Sequence, residues 1–224
     1  FDSSNLKKEK TLEAVKNWEC DYLFNANQKD FEKIPGNNIG YWLKNSVFDI
    51  FKNSKISDSF TLFQGIITGK NDQAIRIWTE VRLSNFNYSL NDISNFDINK
   101  KWVPYNKGGE AKKWYGNQFL VVNFAEKGKD FTRGKHQFYK HFFKPCFSWN
   151  YIGSSKCMGR FYDSGFIWDV HGSSGFNNDK KMLLLAVAYL TSKVGNYFLS
   201  VINPTISFQV ENIASLPFKM DEIS

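Results

Sequence analysis

Apolar positions recur with a helical period in the early part of the chain and with a strand period after it. Leu12, Val15 and Trp18 recur at i, i+3 and i+6, and Ser4 stands where an N-cap belongs, so a helix is predicted to about Glu19. A second helical piece over residues 27–33 meets Pro35-Gly36, a pair that stops helices. A third, over residues 39–51, carries Trp42, Leu43, Val47, Ile50 and Phe51 as its apolar stripe. These stripes are assigned to the core.

From residue 60 the period changes. SFTLFQGIITG reads as a strand ending in a glycine turn, and AIRIWTEV alternates apolar and polar residues as a half-buried strand does. FLVVNF, CFSWNYIG, GRFYDSG and FIWDV continue as short β-branched or aromatic strands between turn residues. Residues 179–201 form one long predicted helix, capped by Asp179 and stopped by Asn203-Pro204. A short strand, TISFQV, and a turn at Leu216-Pro217 close the chain. The fold class is α+β: a mixed, mostly antiparallel β body with an N-terminal helical region and one long C-terminal helix. The boundary is expected after residue 59, giving a helical region over 1–59 and a β-rich domain over 60–224.

Composition supports a packed body, since 42% of the 224 residues are apolar and 17% aromatic. Phe1 is not Met and no signal-like apolar stretch follows it, which reads as an internal cut in a longer protein. The longest apolar run, residues 182–190, is too short to span a bilayer, so no membrane partner is expected, and the sparse, unpaired cysteines make a reducing cytoplasm the expected compartment. Cys20, Cys146 and Cys157 are odd in number and form no CxxC pair, and His136, His141 and His171 lack partners at ligand spacing. Neither a disulfide framework nor a metal site is expected.

The net charge of +7 is unevenly spread. Residues 1–60 hold nine basic and nine acidic side chains, and residues 61–100 hold four of each. Residues 101–160 hold twelve basic against three acidic, and the remainder is slightly acidic. A concentrated positive field attracts polyanions. General solubility also favours lysine, but it does not account for the balance elsewhere.

Catalytic signatures are missing from the residues. There is no GxSxG, HExxH or P-loop lysine motif, and no glycine-rich loop suited to a nucleotide or S-adenosylmethionine. Asn203-Pro204-Thr205 lacks the second proline and the aromatic of an amino-methyltransferase motif and is read as a helix stop. Asp163 and Asp169 occur without a spacing that singles them out. Binding is better supported. The basic segment interleaves its cations with fourteen aromatics. Phe119, Phe124, Phe147 and Trp149 lie in strand-like runs and are assigned to the core. The turn cations are the phosphate candidates: Lys107, Lys112 and Lys113 beside Gly108-Gly109, then Arg133, Lys135 and Arg160. Asn71, Asn106, Ser173 and Ser174 are weaker candidates for base or sugar contacts.

Several phrases carry a family resemblance: IPGNNIGYW, GIITGKNDQAIRIWTEV, KWVPYNKGGEAKKWYGN, FKPCFSWNYIGSSKCMGRFYDSGFIWDVHGSSGF and LTSKVGNYFLSVINPTISFQVENIASLP. In this order they resemble the region downstream of the catalytic domain in PglX-type adenine-specific DNA methyltransferases of BREX phage-defence and related restriction-modification systems. The resemblance covers residues 34–217. It implies a target-recognition region that selects the site on double-stranded DNA. It also implies a parent enzyme that methylates adenine N6, with S-adenosylmethionine and the catalytic motif held in a domain outside this chain. The fragment itself then needs no cofactor and performs no catalysis. The expected partners are double-stranded DNA, the parent's catalytic domain, and other defence-system subunits or a phage inhibitor. The alternative is a protein-interaction module of the same complex, docking through its N-terminal helices.

Overall fold

The helical period at the start of the chain produces α1 (Ser3–Lys16), α2 (Gln28–Phe31) and α3 (Asn45–Ile50). A computed structural model describes residues 3–18, 24–133, 136–153 and 156–219 of the chain. Its contacts divide the chain into two units, Phe1–Lys52 and Asn53–Ser224. Within the first unit Ile34, Leu43, Phe48 and Phe51 are buried. The α1 stripe is not core: Leu6, Leu12, Val15 and Trp18 are exposed, and Ala14 is the buried hydrophobic residue of that helix. The period was legible, but a helical stripe reports a preferred face and not what covers it.

The second unit runs α4 (Ile56–Ser59), β1 (Thr61–Phe63), α5 (Asn71–Ala74), β2 (Ile75–Ile77), β3 (Trp102–Asn106), β4 (Leu120–Asn123), β5 (Cys146–Trp149), β6 (Gly159–Tyr162), β7 (Ile167–Trp168), β8 (Ser174–Phe176), α6 (Lys180–Thr191), α7 (Lys193–Ile202) and α8 (Val210–Ala214). Two four-stranded sheets result, ordered β1-β8-β5-β6 and β2-β4-β3-β7. Every pairing is antiparallel except β3 with β7. The architecture is therefore α+β and mostly antiparallel, as the pattern predicts.

The core is aromatic. Phe124, Phe142, Phe143, Trp168 and Phe176 join Val103, Tyr105, Val122 and Ile167 in one buried cluster. Its rings meet edge to face, with Phe142 centred 5.7 Å from Phe124 and 5.2 Å from Trp168. Each such buried ring stabilises by about 1.5–3 kcal/mol through burial, with a further contribution from the edge-on geometry. The helix α6 buries Leu183, Ala186, Val187 and Leu190, an i, i+3, i+4, i+7 stripe. It lies so close to β6 that a Cβ on Gly159 would sit 2.8 Å from the Val187 carbonyl oxygen.

Four segments depart from the sequence reading. The expected single C-terminal helix is a pair bent by 70° at Ser192. Ser192 ends α6 and caps α7 by accepting from the Gly195 N–H, which satisfies a donor a continuous helix would have bonded internally. TISFQV forms no strand: Ser207 makes one isolated bridge to Ile152, and Gln209 opens α8. Residues 102–106 and 174–176, which the sequence pattern did not assign to strands, are strands. No single helix among the described residues is long and apolar enough to cross a membrane.

Candidate nucleic-acid interface

Strand β3 delivers the chain from the core to a lysine-bearing loop, residues 107–119, which returns through β4. Asn106 closes the strand and starts the loop. It is fully buried, donating from Nδ2 to Ser148 Oγ (2.9 Å) and the Gly172 carbonyl (3.0 Å) while Oδ1 accepts from the Gly108 N–H (3.0 Å). Ser148 Oγ donates onward to the Ser173 carbonyl, and Ser174 Oγ to that of Gly172. This network ties the loop entrance to the turn before β8. The two backbones cross at van der Waals contact: a Cβ on Gly108 (φ 78°) would lie 2.3 Å from the His171 carbonyl oxygen.

Further clamps hold the far part of the loop. Asn117 Nδ2 donates to the carbonyls of Gly108 and Glu110, both at 2.9 Å. The Trp114 N–H donates to the Gly159 carbonyl (2.9 Å) and its carbonyl accepts from the Phe161 N–H (3.0 Å), so the loop pairs with the open edge of β6. Arg160 is fully buried beneath it, donating from Nη1 to the Glu110 carbonyl and from Nη2 to the Trp149 carbonyl, each at 3.1 Å. Tyr162 Oη donates to the Gly116 carbonyl (3.2 Å). Residues 109–115 face solvent, among them Glu110, Lys112, Lys113, Trp114 and Tyr115, and so does Phe119.

A polar relay flanks the loop entrance. The Asp169 carboxylate is buried, accepts from Tyr105 Oη (2.5 Å) and lies 3.4 Å from Lys107 Nζ and from His171 Nδ1. Burial, then the Asp169 charge and hydrogen bond, push the Tyr105 phenol well above its ordinary pKa, so it stays a neutral donor. Lys107 Nζ also reaches Asn71 Oδ1 (3.4 Å), which accepts from Thr68 Oγ1 (2.5 Å). Lys107, Asn71, Asp72, Ile75, Arg76 and Glu80 line an open depression of about 440 Å³. Its rim holds two cations and two carboxylates, so it suits a polar ligand edge better than a bare phosphate.

The predicted site residues therefore separate. Lys112 and Lys113 are exposed on the loop, with Glu110 3.7 Å from Lys112 Nζ. Lys107 and Asn71 meet at the depression. Arg133 is exposed but lines a different surface, bonded to Gln64 Oε1 (3.3 Å) near Val210 and Glu211. Lys135 lies outside the described residues. Four assignments are corrected by burial. Arg160 directs its outer nitrogens to protein carbonyls, and Asn106, Ser173 and Ser174 are buried with their side chains bonded inward. They build the loop's support and are not surface contacts. Phe119, expected in the core, is exposed, while Phe124, Phe147 and Trp149 are buried as expected. Sequence reading set Asp169 aside for lack of a distinctive spacing and passed over Arg76. Asp169 carried a signal, a carboxylate at the end of the apolar run FIWDV, where a buried acid needs partners.

No family model matches the chain. Its likeness is to adenine-specific methyltransferases. It is 32% identical, over 97% of its length, to "Adenine-specific methyltransferase PglX" of Lacticaseibacillus casei (strain Zhang), and 30% identical, over 86%, to "Adenine-specific methyltransferase BrxX" of Escherichia coli O9:H4 (strain HS). It spans 19% and 16% of the length of those two proteins. The chain corresponds to a segment of a PglX-type protein.

Proposed function

We propose that the Asn53–Ser224 unit is a target-recognition element that binds double-stranded DNA for a site-specific N6-adenine methyltransferase of a phage-defence or restriction-modification system. One observation carries the reading. The loop over residues 107–119 is braced by buried polar groups at its base and sends two adjacent lysines into solvent at its tip. Phosphate contacts of this kind set affinity and orientation. Lys112 and Lys113 fill that role, Lys107 and Arg76 add charge beside them in sequence or at the depression, and Asn71 offers an amide for a base edge or sugar. S-adenosylmethionine and the methyl-transfer chemistry belong to the parent's catalytic domain, and the parent works in the cytoplasm. In this reading the chain itself performs no catalysis.

The test is anisotropy titration with mixed-sequence duplex DNA across a salt series. Log affinity should fall linearly with log salt, with a slope of about −0.9 per phosphate neutralised. Lys112→Ala with Lys113→Ala should make that slope less steep by about 2. Absence of binding at about 50 mM salt, where non-specific DNA affinity is strongest, defeats the reading.

A second reading has its own observation. Leu12 and Val15, exposed on the N-terminal helix, and Trp18 just past its end offer apolar side chains for docking to the parent's catalytic domain, another defence subunit or a phage inhibitor. The two readings concern different units of the chain and are compatible.

A further inference from the structure

Trp114 stands in a backbone conformation that bulky residues avoid. Its φ is 68°, in the left-handed region, and its side chain is 54% exposed. Tyr115 beside it is 70% exposed. Such backbone strain persists only where the surroundings over-determine it. Here they do: main-chain bonds to Gly159 and Phe161 hold Trp114, and the buried Arg160 holds the loop through Glu110. Gly116 (φ 134°) follows, close enough that a Cβ there would lie 3.2 Å from the stem of Lys112. The fold thus fixes the backbone beneath two large flat side chains and leaves more than half of each exposed, directly after two exposed lysines. Side chains more than half exposed gain little from burial in this chain. A partner with flat apolar faces beside negative charge would suit both features at once, and an unstacked nucleobase next to its phosphate has that chemistry.

We propose that Trp114 and Tyr115 form a base-stacking wedge. They enter the duplex where a base step is disrupted and stack on the exposed nucleobase, while Lys112 and Lys113 hold the adjoining phosphates. The wedge rests on the DNA-binding reading and adds a ligand state to it: DNA with a gap or a displaced base in its stack. A perfect duplex must first be unstacked before the rings can enter, whereas an abasic or mismatched duplex has little stacking left to lose.

Two fluorescent duplexes of one mixed sequence test this, one intact and one carrying a single abasic position, titrated with the chain over a salt series. The unmodified chain should bind the abasic duplex about 10-fold more tightly. The double variant Trp114→Asn, Tyr115→Ser should bind both duplexes equally, with its salt slope unchanged. Asn tolerates the left-handed backbone, so this variant keeps the loop, and its melting temperature checks that it has. Trp114→Phe with Tyr115→Phe should retain the preference. Lys112→Ala with Lys113→Ala should do the reverse, lowering the salt slope and keeping the ratio. Equal binding of the two duplexes by the unmodified chain, or a preference that survives Trp114→Asn, Tyr115→Ser, overturns the wedge and leaves DNA binding standing. Failure to bind either duplex overturns both.

Discussion

Replacing Asn106 by Ala separates a residue that supports the loop from one that touches DNA. The side chain makes three hydrogen bonds inside the protein, to Ser148, Gly172 and Gly108. The losses are unequal. Gly172 keeps acceptor contacts from Ser148 and Ser174, and Ser148 keeps its bond to the Ser173 carbonyl. The Gly108 N–H is bonded only to Asn106 among the described groups, and its surroundings are buried. An orphaned buried donor costs about 1–3 kcal/mol, and each lost bond to a group that keeps another partner about 0.5–1 kcal/mol, so about 3 kcal/mol is expected in total. For a unit of this size that lowers the melting temperature by about 6–12 °C. Differential scanning calorimetry gives the shift, and hydrogen exchange should show protection lost at the amides of Gly108 and Trp114. DNA affinity should fall to a similar degree on every sequence, because the loop loses its brace and not a base contact. A variant that melts within about 1 °C of the unmodified chain, yet binds one DNA sequence selectively worse, would refute the scaffold assignment.

Arg160→Met removes the grip on the Glu110 and Trp149 carbonyls while filling the space, so trypsin should cut after Lys112 or Lys113 about 10-fold faster; an unchanged cleavage rate would show that the other clamps suffice. Burial raises the Cys146 thiol to about 12, against a weaker opposing hydrogen bond from Ser174, and raises Cys157 further. The unfolded thiols ionise near pH 8.5 while the folded ones stay protonated, so stability should fall as pH rises above that point, by up to about 1.4 kcal/mol per unit per thiol. Cys146→Ala should flatten this alkaline limb in thermal melts at pH 8 to 11, and an identical limb would remove the thiol from the explanation. Leu12→Gln with Val15→Gln should leave the melting temperature within about 1–2 °C, since both side chains are exposed in this chain; a larger drop would mean that they are covered.

Much of the body was legible because alternation and turn chemistry are local. FLVVNF, CFSWNYIG and GRFYDSG each contain a strand, and Asp179 caps α6 as its position suggests. The misses have long-range causes. Pro104 hides β3, because proline ordinarily excludes a central strand. It sits where the strand changes partners, with residues 102–104 on β4 and residues 105–106 on β7. HGSSGF hides β8 because its small residues make room for others: a Cβ on Gly175 would lie 2.3 Å from the Phe147 ring. The break at Ser192 was written as Ser-x-x-Gly within an otherwise continuous apolar pattern, and it turns on a close pass in which a Cβ on Gly195 would lie 2.1 Å from the Tyr189 carbonyl oxygen. In the candidate site, charge identified the loop and its exposed lysines. Charge could not distinguish Lys112 from Arg160, because a guanidinium that braces a loop and an amine that faces solvent count alike in a sequence.

The loop's clamps share a property with an evolutionary consequence. Asn106, Asn117, Arg160 and Tyr162 all grip main-chain atoms of residues 108–116, and the β6 edge does the same at Trp114. The mount recognises peptide groups and is indifferent to the side chains of residues 111–113 and 115, while the left-handed backbone at Trp114 still restricts what can stand there. Substitutions there can accumulate without unseating the loop, provided that the flanking glycines and Asn117 stay. A loop mounted this way can exchange its tip by point mutation, one residue at a time, while the socket that holds it is inherited intact.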